Sequence, residues 1–440
     1  MFKTIKLRNF RVFDHITFDL TGPRDTPLSH AAVYGRNASG KTALVRSVEF
    51  LKATSISYGV MMNASSTVGE KWLDRTYAIN GSLGFVCTDI TVLAKYNMTR
   101  QPSGPMVLRF RFSVDGRDAE YTMTFSDRDQ SLVSESLRFV SSKGRRILYF
   151  SVEKDAGHPK AVMNRDPFPE SDFTSWLREQ TEQWWGRQTL LSMIVYGASV
   201  RNRAYMEERS PNLMGLVDYM EGLNSAMSGL GGRTGDYIEA NSFEGYIDTA
   251  DIRVLEAYER ALDRFLTRLD PGLESVVYET SDQGNGRTWY NLTFNRLVAG
   301  RVMAIDYHDE SSGVRKLVSL FPRLLGCASG RVAFIDEIDS GIHDKLVCDL
   351  LAQVLPDLGG QLVITTHNTS LLEELDPRRV FMLDVDMDGG RTIRPVSDIA
   401  RTCRNNNNRD RYMSGKLGAV PYIGTVDIRD IVEHLEEDLS

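Results

Sequence analysis

The segment Gly35-Arg36-Asn37-Ala38-Ser39-Gly40-Lys41-Thr42 constrains this chain more than any other. It fits G-x-x-x-x-G-K-[ST], a spacing whose glycines let backbone N–H groups curl round a phosphate. Such a turn belongs between a strand and a helix, whose N-terminus adds N–H donors and the positive end of a dipole. Both neighbours are present. Ala31-Ala32-Val33-Tyr34 is a short apolar run that predicts a buried strand, and Ala43 to Leu51 is apolar at helical spacing. In that setting Lys41 is expected to bridge the β- and γ-phosphates of a nucleoside triphosphate. The Thr42 hydroxyl is expected to ligate Mg²⁺.

A second strand supplies acid. Val332-Ala333-Phe334-Ile335 is apolar and delivers Asp336, Glu337 and, two residues on, Asp339. Ligand sites of parallel sheets open at the C-terminal ends of strands, which is where these carboxylates fall. Asp336 is placed to hold Mg²⁺, and Glu337 to polarise an attacking water as general base. Alone, this pattern also fits an exposed acidic turn after a core strand; a phosphate loop in the same chain favours the site.

Gln361-Leu362-Val363-Ile364-Thr365-Thr366-His367-Asn368 predicts another core strand, ending in polar residues. From that end His367 could contact a γ-phosphate. Upstream, Asp309-Glu310-Ser311-Ser312-Gly313-Val314-Arg315-Lys316 leads into the helical Leu317 to Phe321. Ser312 and Gly313 at a helix start offer a hydroxyl and free N–H groups to an anion. An ordinary cap, with Ser311 or Ser312 closing the first turn, uses the same residues. Their order along the chain favours the anion.

Phosphate loop, Ser-Gly segment, Asp-Glu strand and strand-end histidine, in this order, resemble the head of an ABC-type ATPase. The opening Met1-Phe2-Lys3-Thr4-Ile5-Lys6-Leu7-Arg8-Asn9-Phe10-Arg11-Val12-Phe13 is similar to the start of the RecF, SMC and OLD ATPases. Their "NFR" strand end sets an arginine beside the nucleotide, and the resemblance gives that role to Arg11. Closer still are the bacterial OLD-like "AAA15" ATP-binding proteins of phage-defence operons. They share a "YGxNASGKT" loop, an "ESxGxxK" signature and a tail resembling Arg411-Tyr412-Met413-Ser414-Gly415-Lys416-Leu417-Gly418-Ala419-Val420-Pro421. The resemblance covers both ends of the chain well and the middle in outline.

It implies an α/β fold, an ABC-type ATPase head of the P-loop NTPase class with an antiparallel β subdomain and a helical insertion. It implies ATP and Mg²⁺ as cofactors, with Gly35, Asn37, Ala38, Ser39, Gly40, Lys41 and Thr42 around the nucleotide and Thr42 and Asp336 at the metal. Glu337 and His367 then act in hydrolysis. Ser312 and Gly313 close over the nucleotide of a second head, so ATP glues a homodimer. Ser311-Ser312-Gly313-Val314-Arg315 departs from LSGGQ, which puts transport-type coupling in doubt but not this closure. A glutamine expected from the linker between lobes has one candidate, Gln101.

The pattern divides the chain into an N-terminal part of the head (1–56), a connector and antiparallel subdomain (57–170), a helical insertion (171–273) and the rest of the head (274–440). Alternating runs such as Val107 to Phe112 and Tyr121 to Phe125, bounded by Gly, Asp or Ser, predict a meander. Ser225 to Gly235 is Gly-rich and suits a flexible loop. No heptad run is long enough for an SMC-like coiled coil. A formal net charge of −7 gives no global basic field toward nucleic acid, so such contact needs a local patch. The four cysteines, Cys87, Cys327, Cys348 and Cys403, lack metal spacing and fit a reducing, cytoplasmic setting. No signal peptide or membrane span is expected.

Two clusters have more than one reading. Trp176, Trp184 and Trp185 could form a surface, but aromatics at helical spacing are more often core. Arg401, Arg404, Arg409, Arg411 and Lys416, around Asn405 to Asn408, could track a phosphate backbone, stay solvated or pack on an acidic partner. Three functions compete: a regulatory ATPase that senses phage infection and controls a separate effector, such as a nuclease; a RecF-like DNA-repair ATPase; and a nucleotide-binding scaffold with little turnover. The first leads by resemblance. A TOPRIM domain like that of OLD nucleases is not expected after the His367 strand.

Overall fold

A computed structural model describes residues 1–64, 88–141, 144–200, 203–223, 243–399 and 407–419, with 428–429, 431–432 and 434. Strands β1 (Phe2–Phe10), β2 (Phe13–Asp19) and β3 (His30–Tyr34) lead to helix α1 (Lys41–Ala64). Helix α2 (Ile90–Asn97) precedes the meander β4 (Met106–Val114), β5 (Arg117–Phe125), β6 (Leu132–Val140), β7 (Arg146–Asp155) and β8 (His158–Met163). Then come α3 (Asp172–Trp184), α4 (Leu190–Val200), α5 (Arg203–Arg209), α6 (Pro211–Glu221), β9 (Glu244–Asp248) and α7 (Ile252–Leu269). Strands β10 (Leu273–Asp282), β11 (Arg287–Val298) and β12 (Arg301–Asp306) follow. The chain continues with α8 (Ser312–Ala328), β13 (Val332–Ile335), α9 (Asp344–Val354), β14 (Gln361–Thr365), α10 (Leu371–Glu374), β15 (Val380–Val385), β16 (Arg391–Pro395), α11 (Val396–Ile399) and α12 (Asn408–Met413).

The central sheet runs β13-β14-β3-β15-β16, parallel except for β16. The middle of each parallel strand is apolar because both faces are covered. Ala31, Val33, Phe334, Val363, Phe381 and Leu383 face one core, shared with α1 and the antiparallel sheet. Ala32, Tyr34, Ile335, Ile364 and Met382 alternate onto the other, shared with α7, α8 and α9. The meander forms as expected but is not closed on itself. β1 and β2 join it in a seven-stranded sheet, β2-β1-β4-β5-β6-β7-β8. Strands β9 to β12 form a further antiparallel sheet before α8.

The expected boundary at 56 falls inside α1, which runs on to Ala64. The polar run that disguises this turn is satisfied within the helix. Thr54, Ser55 and Ser57 hydroxyls donate to the carbonyls of Phe50, Lys52 and Thr54 at 2.9, 2.8 and 3.1 Å. The 171–273 segment holds five helices and also β9 among its described residues. The Gly-rich stretch from Ser225 lies outside the described residues. Trp176 packs on Phe173 and Tyr58, and the Trp185 indole N–H donates to the buried Glu135 carboxylate at 2.9 Å. The tryptophans therefore line a core, partly buried.

Gln361 staples the two sheets. It is fully buried at the start of β14. Its Oε1 accepts the Phe2 N–H at 2.6 Å, and its Nε2 donates to the carbonyls of Phe2 and Leu28 at 3.0 and 2.7 Å. Gln361→Leu would keep the volume but leave those backbone groups without partners. At about 1–3 kcal/mol for each unsatisfied buried group, unfolding free energy should drop by roughly 3 kcal/mol or more. A urea midpoint equal to that of the parent would show that the staple carries no weight.

Candidate functional site

The turn from β3 into α1 is held from two sides. A Cβ at Gly40 would lie 2.7 Å from the Phe13 ring and 3.0 Å from Val12, so the β1–β2 corner presses directly on the loop. A Cβ at Gly35 would meet the Leu383 carbonyl of β15 at 2.8 Å and the Ser39 hydroxyl at 2.5 Å. Ala38 and Gly40 take positive φ, 62° and 120°, which curls the chain into a concave run of amides. Asn37 and Ala38 are exposed on the outer turn. The Ser39 hydroxyl is buried with no hydrogen-bond partner, and its carbonyl accepts from Arg391 Nε at 2.9 Å. Lys41 folds back to donate to the Gly35 and Arg36 carbonyls at 2.7 and 3.3 Å. Thr42 opens α1 with its side chain exposed.

The acidic strand ends beside this loop, since β13, β14 and β3 are parallel neighbours. Thr365, last in β14, binds both acidic residues. Its hydroxyl donates to Asp336 Oδ1 and accepts the Glu337 N–H at 2.8 Å, while its carbonyl takes the Ile338 N–H at 3.1 Å. Glu337 sits at φ 45°, exposed, where the chain turns out of the sheet. Asp339 accepts the His367 N–H at 3.1 Å through Oδ2, and its Oδ1 is buried without a partner. Tyr34 donates its hydroxyl to the Asn368 carbonyl at 2.7 Å, and Asn368 Nδ2 reaches the Asp344 carbonyl at 2.9 Å. The histidine loop is thus fixed from three directions.

These charges act on one another. Burial pushes the Lys41 ammonium below its ordinary pKa, and Asp336, Glu337 and Asp339 pull it back up. Burial and then the Lys41 charge push His367 down, against the same three carboxylates. Lys316, one turn into α8, lies 3.5 Å from the Asp336 carbonyl and is lowered by burial and Arg323. Lys41, Asp336, Glu337 and His367 therefore lie together in one cluster. The cluster also contains Lys316, Thr365 and Asn368, to which the sequence reading gave no role.

Ser312 and Gly313 open α8, one turn ahead of Lys316. Ser311 is the cap, its hydroxyl accepting the Val314 N–H at 3.3 Å, so Ser312 is left to face outward. Gly313 rests on the turn after Asp339: a Cβ there would be 2.8 Å from the Gly341 carbonyl. Arg11, at φ 52°, is parked on α2. Its N–H and Nη1 donate to the carbonyl and side chain of Asn97 at 2.6 and 3.0 Å, and Arg46 lowers its pKa after burial does. Gln101 lies in an exposed turn at φ 57°.

In the tail, Arg401, Arg404, Asn405 and Asn406 lie outside the described residues, as do Val420 and Pro421. Arg409 and Lys416 are exposed, but Tyr412, Leu417 and Ala419 are buried. Tyr412 meets Tyr34 edge-on at 5.8 Å, and the Ala419 N–H donates to Asp384 at 3.3 Å. The described part of the tail is packed on the central sheet. Among the described residues no helix is long and apolar enough to cross a membrane.

A family model described as "AAA domain, putative AbiEii toxin, Type IV TA system" matches residues 225–373, a span that includes Ser312, Asp336, Glu337 and His367. No curated protein matches the chain. Among solved structures, the SMC head domain from Thermotoga maritima is similar at 14% identity over 90% of this chain and 98% of that one, with a TM-score of 0.36. An Smc head domain with a coiled coil and joint from Pyrococcus yayanosii gives 11% over 90% and 96%, with 0.42. An Smc head bound to the C-winged helix domain of ScpA gives 14% over 89% and 96%, with 0.44. The phosphate loop after β3, the acidic end of β13 and the parallel sheet they share make this an α/β fold of the P-loop ATPase kind, with an antiparallel sheet built on β1. That fold is consistent with ATP binding and hydrolysis.

Thr365 gives the site its sharpest test. Thr365→Val keeps the shape and removes the hydroxyl that aligns Asp336 with Glu337. Turnover of ATP should fall roughly tenfold or more, as for other losses of a positioning hydrogen bond, while nucleotide affinity changes little. Equal turnover in parent and variant would show that the strand alone sets the carboxylates.

Proposed function

We propose that the chain is a regulatory ATPase whose heads dimerise on ATP, the sensor or regulator subunit of a bacterial antiphage system acting in the cytoplasm on a separate effector. The observation that carries the ATPase reading is the meeting of Lys41, Asp336, Glu337 and His367 at one end of the sheet, beside a loop whose Gly35 and Gly40 leave no room for a side chain. The residues fit a magnesium nucleotide. Thr42 and Asp336 offer hard oxygen donors, and among the described residues no group of three acidic, His or Cys side chains could hold a metal alone. A cation held by two protein oxygens and phosphates suits Mg²⁺, which when bound supplies charge neutralisation of the phosphate oxygens.

Lys41 would leave the Gly35 carbonyl to bridge the β- and γ-phosphates, and the curled amides from Asn37 to Thr42 would wrap them. Glu337 would take a proton from the attacking water at its exposed carboxylate. His367, kept neutral by Lys41 and burial, could donate to the γ-phosphate. On this reading the site of one head is open toward Ser312 and Gly313 of a second copy, whose helix dipole and N–H groups complete it. Release of the γ-phosphate removes that contact and loosens the pair. Arg11 would turn from Asn97 toward the nucleotide.

The antiphage part rests on the resemblance of loop, signature and tail to the defence-operon group. The description of the matched family, which speaks of a putative toxin and a TA system, favours a two-component setting. Co-purification with the products of adjacent genes tests it, and a neighbourhood of replication genes would favour repair instead.

The ATPase reading has its own measurements. Lys41→Ala removes a charge-assisted contact worth about 2–3 kcal/mol, so ATP affinity should fall on the order of 30- to 150-fold. Glu337→Gln should keep ATP bound, slow hydrolysis on the order of 10²-fold or more, and accumulate a larger species that vanishes without nucleotide. Adding Ser312→Arg should abolish that species and leave monomer binding nearly intact. Loss of monomer binding to the extent seen in Lys41→Ala would sink the trans arrangement.

A further inference from the structure

Glu310 puts a negative charge where the site needs none. It lies next to the Ser311 cap at the positive end of α8, the end offered to a partner's phosphate. A carboxylate left without a counter-charge there would repel an incoming anion. It is held instead. Its side chain is only 3% exposed, and the Arg296 guanidinium of β11 binds both its oxygens, Nε to Oε1 and Nη2 to Oε2 at 3.3 Å. The same Nη2 reaches Asp270 Oδ2 at 2.7 Å, at the C-terminal end of α7. Glu310 Oε2 also accepts the Ser311 N–H at 2.8 Å. Both carboxylates raise the arginine pKa, with the Glu310 hydrogen bond the largest cause. One guanidinium therefore ties α7, β11 and the entrance to α8 together and gives the acid beside the Ser311 N–H a counter-charge.

We propose that Arg296 is a positioning residue for the nucleotide of a second copy of this chain: by neutralising Glu310 in place, it keeps the N-terminus of α8 receptive to that copy's γ-phosphate. The inference rests on the ATP-sandwich reading above. It explains a signature that begins with glutamate, a residue otherwise ill-suited to a phosphate-binding helix start.

The test uses the Glu337→Gln protein with ATP and Mg²⁺, scoring the closed dimer by sizing across concentrations and monomer nucleotide affinity in parallel. Arg296→Met leaves the carboxylate uncompensated, and dimer affinity should fall about tenfold or more, with a larger loss at low salt than at high. Adding Glu310→Gln removes the charge and should restore the dimer to within about threefold of the parent. Monomer affinity should stay level throughout. A purely structural tie predicts that the double variant dimerises as poorly as Arg296→Met, because the three elements remain unlinked. That result, or an Arg296→Met protein that dimerises like the parent, overturns the inference and leaves the sandwich standing. A Glu337→Gln parent that stays monomeric overturns both. Should Arg296→Met fail to fold, Arg296→Gln keeps a hydrogen bond without the charge, and rescue of its dimer by Glu310→Gln decides the question in the same way.

Discussion

Gly40 is wedged against the Phe13 ring while Gly35 is wedged against the Leu383 carbonyl, and neither place has room for one more carbon. Phe13 belongs to the antiparallel sheet and Leu383 to the parallel one. The loop between these glycines is therefore the point where two sheets set their separation. Its curvature is imposed from outside, which leaves the amides of residues 37 to 42 fixed in direction before any phosphate arrives. Preorganisation of this kind spares the reorganisation that a floppy loop would require on binding. Gln361 does the same work at the opposite end of β14, bonding β14 to β1 and to the chain entering β3.

The charges around this loop are arranged with little direct pairing. Lys41 donates to carbonyls of its own loop, and Lys316 stands over the Asp336 carbonyl. Asp336, Glu337 and Asp339 are held by Thr365 and by backbone amides. A tight Lys41–carboxylate ion pair would have to be broken for phosphate to enter, at the cost of stranding a partly buried charge. The arrangement instead leaves the carboxylates near enough to raise the Lys41 pKa, yet free to take new partners. His367 follows from the same balance, since the neighbouring ammonium disfavours a second positive charge on the ring.

What the sequence made legible was local. The loop, the acidic strand end and the polar strand end are each written in fewer than a dozen consecutive residues, and the meander in alternating runs bounded by turn residues. What it hid depended on distance. Gln361 reads as the first residue of a strand until Phe2 is placed beside it, 359 positions away. Thr365 reads as one β-branched residue among several, although a hydroxyl at the buried end of a strand next to an acidic one was a usable signal. Arg391 reaches Ser39 across 352 residues. The polar stretch after residue 53 concealed a helix because its hydroxyls bond within the helix, a compensation that composition alone does not display. Arg11 marks another limit: its neighbours fix the corner that presses on Gly40, while its own side chain is held by Asn97 of α2.

Helix α8 joins the two halves of the site physically. Its first turn carries Ser312 and Gly313, and the turn after that carries Lys316 against the Asp336 carbonyl. A rigid turn cannot move at one end without moving at the other, so on the sandwich proposed above a phosphate seated on its N-terminus would shift Lys316 relative to the Asp336 strand. Pro322 lies inside the same helix and removes the bond that the Val318 carbonyl would accept. The stretch from Ser312 to Phe321 is thus less firmly continuous with the rest of α8 than its length implies. Gly313 on Gly341 links it to the turn that follows Asp339, and Asp339 in turn caps the His367 loop. A displacement of this short segment by a few tenths of an ångström would reach Asp336, Asp339 and His367 together, through contacts that all lie within one chain. In the proposed pair of heads, the partner's phosphate would then act on hydrolysis in the opposite head by moving a helix rather than by supplying a catalytic group.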